Sequence, residues 1–177
     1  MSCFLGIDPG VAGGLALIAE NGRPLTAPKM PATERELCDV VYQLAAAAEL
    51  HGMIEKLGAM PRRTATVRCE YCGASWTESK PLQSPSTMLM MGTNYGGLRM
   101  ALAAAGIAFD EVLPRTWQAA FGLVSSRNLT STQKKNRHKA KAEQLFPSVR
   151  VTHYIADALL IAEYCRRMYH VGSTGLK

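Results

Sequence analysis

Cys3-Phe4-Leu5-Gly6-Ile7-Asp8-Pro9-Gly10 is the stretch that decides the fold class of this chain. Its unbroken apolar run reads as a strand buried on both faces, the pattern of an internal strand in an α/β sheet. Asp8 follows at once, and Pro9-Gly10 bends the backbone there. A second apolar run at residues 14–19 lies close enough to be its hairpin partner. Asn21-Gly22 then marks a turn, and residues 24–30 supply a third, edge strand.

Outward from this hairpin the period changes. Thr33 followed by Glu36 is a capping-box signature, and Leu37, Val40, Val41, Leu44, Ala45 and Ala48 recur at helical spacing to about residue 50. Residues 52–55 read as a short strand ending in the Glu55 carboxylate. Residues 62–85 are polar and lack helical periodicity, as expected of an insertion with its own small structure. A stripe of Met88, Met91, Tyr95, Leu98, Leu102 and Ala105 marks the next helix. Gly92, Gly96 and Gly97 weaken it by roughly 1 kcal/mol each relative to Ala, which suggests close approach of another backbone or of DNA. Residues 107–113 read as a strand, 114–121 as a proline-opened helix, 122–132 as a loop and 133–146 as a Lys-rich helix. A short strand at 149–151 and a last helix over 155–169 complete the order. Strands first and alternating elements later give an α/β class with a mixed central sheet flanked by helices.

The 177 residues suit one domain. At 47% apolar and 19% charged residues the chain can build a core. No stretch approaches the ~18 apolar residues of a membrane span, and the apolar start is interrupted by Asp8 and Pro9 without a basic leader. Five scattered cysteines do not make a disulfide framework, so a cytoplasmic setting is expected. The net charge of +6 favours a polyanionic partner. Between Glu111 and Glu143 there is no acidic residue, while Arg115, Arg127, Lys134, Lys135, Arg137, Lys139 and Lys141 all lie there. An ordinary solvated helix face mixes signs; a one-sided block fits phosphates better. Arg62 and Arg63, close after Glu55, are further DNA-contact candidates.

Three acidic positions invite chemistry. Asp8 at the end of a buried strand is either a turn cap or a carboxylate awaiting a cation. Asp157 stands in the apolar run Ile155-Ala156-Asp157-Ala158-Leu159-Leu160, where it needs a partner, either a salt bridge or a metal. His153, four residues earlier, would share its helix face. The third is Glu55 or Glu70, the latter in the strand-like stretch 66–71. Carboxylates from two strands and a helix, with a histidine, suit hard divalent cations, and a pair of such ions stabilises both oxygens of a phosphodiester displacement. Cys69-Glu70-Tyr71-Cys72-Gly73 is half of a zinc knuckle or a metal-free pair; a closed zinc site would borrow ligands from histidine or a second subunit.

In order along the chain, Gly6-Ile7-Asp8-Pro9-Gly10, Met30-Pro31-Ala32-Thr33-Glu34-Arg35, Ile54-Glu55-Lys56, Gly92 with Tyr95-Gly96, Val112-Leu113-Pro114-Arg115-Thr116-Trp117, and Lys139-Ala140-Lys141-Ala142 through Phe146-Pro147 to Asp157 and Tyr164 resemble the RuvC-like Holliday junction resolvases of bacteriophages and prophages. The resemblance implies a ribonuclease H-like fold, a homodimer, and paired symmetric nicks in four-way or branched DNA with no covalent enzyme intermediate, leaving 3′-hydroxyl and 5′-phosphate ends. It places the metal-binding catalytic set on Asp8, Glu55, His153 and Asp157, choosing Glu55 over Glu70, with two Mg²⁺ ions per site and Mn²⁺ as a substitute. The insertion at 62–85 departs from the family's short loop. Residues 88–102 are a candidate dimer interface. Actin-like ATPases and sugar kinases share the opening motif, but they clamp nucleotide between two such domains. A branched-DNA-binding architectural protein without cleavage is the alternative from another class.

Overall fold

The computed structural model describes residues 2–47, 49–58, 62–81, 83–124 and 129–174, with the side chains of 47, 62, 63, 81 and 171–174 excepted. Strands β1 (Ser2–Asp8), β2 (Gly14–Ala19), β3 (Pro24–Thr26), β4 (Glu49–Glu55) and β7 (Ala108–Val112) form one sheet in the order β3-β2-β1-β4-β7. β1 runs antiparallel to β2 and parallel to β4, and β4 runs parallel to β7, so the sheet is mixed as expected. A separate antiparallel hairpin, β5 (Arg62–Arg68) and β6 (Ser75–Pro81), occupies the segment expected to be an insertion.

The alternation of β1 sorts the core. Cys3, Leu5 and Ile7 face one layer, where Val41 and Leu44 of α1 (Glu34–Ala47) and Leu98, Ala101 and Leu102 of α2 (Pro85–Ala104) cover them. Phe4 faces the other layer, built on α5 (Ala156–Thr174) with α3 (Pro114–Ala120) and α4 (Ser131–Leu145). Gly6 points the same way. A methyl group added there would strike the backbone of Ala158 and Ala162, so glycine is what lets α5 lie directly against β1. That close approach brings the first turn of α5 to the end of β1.

Four expectations are corrected. The first helix ends at Ala47, and β4 already begins at Glu49, because Leu50, Gly52 and Ile54 are needed in the sheet alongside β1. The edge strand stops at Thr26, after which only the isolated Gly14–Lys29 bridge remains. Residues 149–151 form no strand: the Val149 N–H closes a turn on the Phe146 carbonyl at 3.0 Å, and Val151 is buried in the α5-side core without strand pairing. The last helix starts at Ala156, one residue after the expected start, and His153 stands in the exposed turn before it, so the expected sharing of a helix face with Asp157 does not occur. That turn is closed by the Ile155 and Ala156 N–H groups, both donating to the Thr152 carbonyl, at 3.3 and 3.1 Å.

Candidate active site

The parallel pairing of β1 and β4 matches Ile7 with Ile54, so the next residues, Asp8 and Glu55, end neighbouring strands side by side. Both lie on the α5 face, in step with Phe4 and Met53 of the core on that side. Asp157 enters from the first turn of α5. Three carboxylates are thereby gathered at one rim of the sheet.

Their electrostatics follow from that crowding. Burial, and then the Asp157 charge, push Asp8 up from 3.8 to about 6. The Gly10 N–H, which donates to Asp8 Oδ1 at 3.2 Å, and the charges of Lys135 and His138 work the other way. Glu55 is pushed from 4.5 to about 7, again by burial first and by Asp8 next. Burial is the largest cause at both positions, and a neighbouring carboxylate is the next.

Two side chains that sequence reading did not single out hold the cluster in place. His138 of α4, buried, lies 2.8 Å from Asp157 through Nδ1. Trp117 of α3, fully buried, donates its indole N–H to Glu55 Oε2 at 2.7 Å. The two rings meet edge to face with centroids 5.4 Å apart. Glu55, Trp117, His138 and Asp157 thus form one continuous chain of contacts. A signal for His138 existed: it lies four residues before Ala142 and seven before Leu145, on the inward stripe of an otherwise cationic helix. Nothing in the sequence announced the bond from Trp117 to Glu55, whose partners are 62 residues apart.

The structure separates the remaining candidates. Glu70 is exposed in the β5–β6 turn, away from the sheet rim. The expected one-turn pairing of His153 with Asp157 is absent, and His138 takes the place beside that carboxylate. Of the basic block, Lys135 lies near enough to Asp8 to influence it. Arg137 donates to the Gly122 carbonyl at 3.1 Å, Lys139 pairs with Glu143 at 3.3 Å, and Lys141 donates to Gln144 at 3.0 Å. Arg115 is exposed. The Arg62 and Arg63 side chains and all of Arg127 lie outside the described residues. α4 itself opens on a capping box in which Thr130 and Gln133 exchange bonds, fixing where its lysines project.

The donor set fits hard divalent cations. Asp8, Glu55 and Asp157 offer oxygens only, and each of the last two has one oxygen engaged by a protein N–H or ring nitrogen, leaving the other for an ion. Among the described residues no three acidic, His or Cys side chains close around a single point.

No family model and no curated protein sequence matches the chain. Among solved structures, Thermus thermophilus RuvC in complex with a Holliday junction substrate superposes with a TM-score of 0.61 at 14% identity, over 98% of this chain and 96% of that one. A second Thermus thermophilus RuvC structure gives the same TM-score and identity over 97% and 96%. The chain therefore has the RuvC-like, ribonuclease H-like fold; the mixed sheet flanked by helices is as expected from the sequence, and it has five strands.

Proposed function

We propose that the protein is a metal-dependent endonuclease that resolves Holliday junctions or related branched DNA. The observation that carries this reading is the convergence of Asp8, Glu55 and Asp157 at the rim of a RuvC-like sheet, with Asp8 and Glu55 raised in pKa by burial first and by a neighbouring carboxylate next. Divalent cations, Mg²⁺ or Mn²⁺, bound there would activate a water and stabilise the leaving oxygen of a phosphodiester.

The chain's own residues do the rest. Asp8, Glu55 and Asp157 supply the ligand oxygens. His138 keeps Asp157 in one rotamer, and Trp117 does the same for Glu55, so the set is oriented before substrate arrives. Lys135, close enough to Asp8 to influence it, and its neighbour Lys134 on α4 would take the phosphates beside the scissile bond. His153, exposed outside the cluster, has no part in this scheme.

Two symmetric nicks need two such sites. α2 exposes Leu89, Met90 and Met100, and its Gly92, Gly96 and Gly97 have open space where a side chain would be. That face is the one proposed to meet its twin in a homodimer.

The test is cleavage of an immobile four-way junction beside a linear duplex of the same sequence, with Mg²⁺, Mn²⁺ or EDTA. Paired nicks confined to the junction, absent in EDTA and reduced more than about 10²–10³-fold by Asp8→Asn, are the expected result. Tight junction binding with no nicks in any metal would replace this reading with the architectural one.

A further inference from the structure

The Cys69–Cys72 turn takes no part in the carboxylate site, and its chemistry is independent of the nuclease reading. It joins β5 to β6 at the tip of the hairpin. Cys69 N–H donates to the Ala74 carbonyl at 2.8 Å, and Gly73 N–H donates back to the Cys69 carbonyl at 3.0 Å. Gly73 closes the turn with φ +70°, a conformation glycine adopts without strain. Inside this loop the Cys69 sulfur accepts from the backbone N–H groups of Cys72 and Tyr71 and from the Cys72 thiol, so both sulfurs lie on the same side of the turn. Both cysteines are free, and Cys72 is exposed.

The hairpin has a second peculiarity. From Thr64 to Lys80 none of its residues is buried. A two-stranded hairpin without a core is marginal in water, and a bound metal is a common substitute for one. Two thiolates are half of a closed tetrahedral zinc shell, and among the described residues no third Cys, His or acidic side chain groups with them. An identical turn, brought up across a two-fold axis, supplies the missing pair. Tyr71, 99% exposed, and Trp76, 52% exposed, flank the cysteines and would be covered in that contact.

We propose that Cys69 and Cys72 form half of a tetrathiolate zinc site that is completed by the same pair from a second copy of the chain. Binding releases the thiol protons to solvent and links the two hairpins tip to tip. The test is the metal content and solution mass of the full-length chain purified under reducing conditions and supplied with zinc. One zinc per two chains is expected. A chelator should remove one association step, and zinc should restore it. Cobalt in place of zinc should give the ligand-field spectrum of four thiolates, and Cys72→Ser should abolish metal uptake and that association step together. One zinc per chain without association, no retained zinc, or a Cys69–Cys72 disulfide under reducing conditions would each overturn the proposal. Junction cleavage by the same samples bears on the carboxylate site alone, so failure of either reading is seen separately.

Discussion

The two faces of the central sheet both use glycine, to opposite ends. On the α5 face, Gly6 removes a side chain so that a helix backbone can touch a strand, and the neighbour is present within the chain. On the other face, Gly92, Gly96 and Gly97 of α2 have nothing opposite among the described residues, while Leu89 and Met100 beside them are exposed. α2 is held to the sheet through Leu98, Ala101 and Leu102 and by the Tyr95 hydroxyl, which donates to Glu111 at 2.9 Å. The first face is finished as a monomer and carries the polar cluster. The second leaves its glycine surface uncovered among the described residues. A glycine's meaning is therefore set by what lies across from it.

The largest effect that could break this contrast comes from Gly6→Ala. The added methyl meets the backbone of Ala158 and Ala162, which cannot move aside like a flexible side-chain end. A loss of about 3 kcal/mol or more is expected in denaturant unfolding, with α5 and Asp157 displaced together. Near-native stability would mean that α5 does not press on β1 as described.

Next comes His138→Ala. Losing the partner of Asp157 should lower metal affinity and cleavage by about 10–100-fold while junction binding in EDTA stays unchanged. His153→Ala should do far less, since His153 stands in an exposed turn. Equal losses in the two variants would return His153 to the site.

A smaller effect is a stability slope with pH. Asp8 is raised from 3.8 to about 6 and Glu55 from 4.5 to about 7, so between about pH 4 and 7 the folded chain keeps protons that the unfolded chain has released. These two groups therefore stabilise the cation-free protein at low pH, and that contribution is lost as pH rises through the window. Thermal unfolding in EDTA should show Asp8→Asn flattening the decline, and Mg²⁺ should restore stability to the wild type above pH 7. Identical slopes for the two proteins would show that Asp8 titrates normally.

The smallest effect sharpens the other half of the contrast. Gly96→Ala, facing open space in a helix, should raise monomer stability by up to about 1 kcal/mol, opposite in sign to Gly6→Ala. Gly96→Leu should leave the monomer folded yet lower self-association in sedimentation. Unchanged association would remove α2 from the dimer proposal.

Most elements were legible because the signals are local. Buried runs gave β1 and β2, the Thr33–Glu36 spacing located α1, and Pro114 opened α3. The capping bonds show where local reading stops: Glu36 N–H donates to Thr33, but the Glu36 carboxylate reaches back to Ala32 rather than to Thr33. The 149–151 strand failed because an apolar triplet satisfies any buried extended segment, with or without a neighbour to pair with. The expectation that His153 shares a helix face with Asp157 failed because helical spacing counts only if the helix has begun.

By itself the sequence determined the α/β class, the strand-end position of Asp8, the apolar helix around Asp157, the polar insertion and the one-sided charge of α4, since each depends on residues adjacent in the chain. The tertiary structure set Glu55, which the family resemblance had already preferred to Glu70, beside Asp8, put His138 in contact with Asp157, and bonded Trp117 to Glu55. The physical reason is range. Hydrophobic periodicity and capping act within a few residues, whereas a carboxylate's partner is fixed by strand register and by how closely a glycine lets a helix approach a sheet.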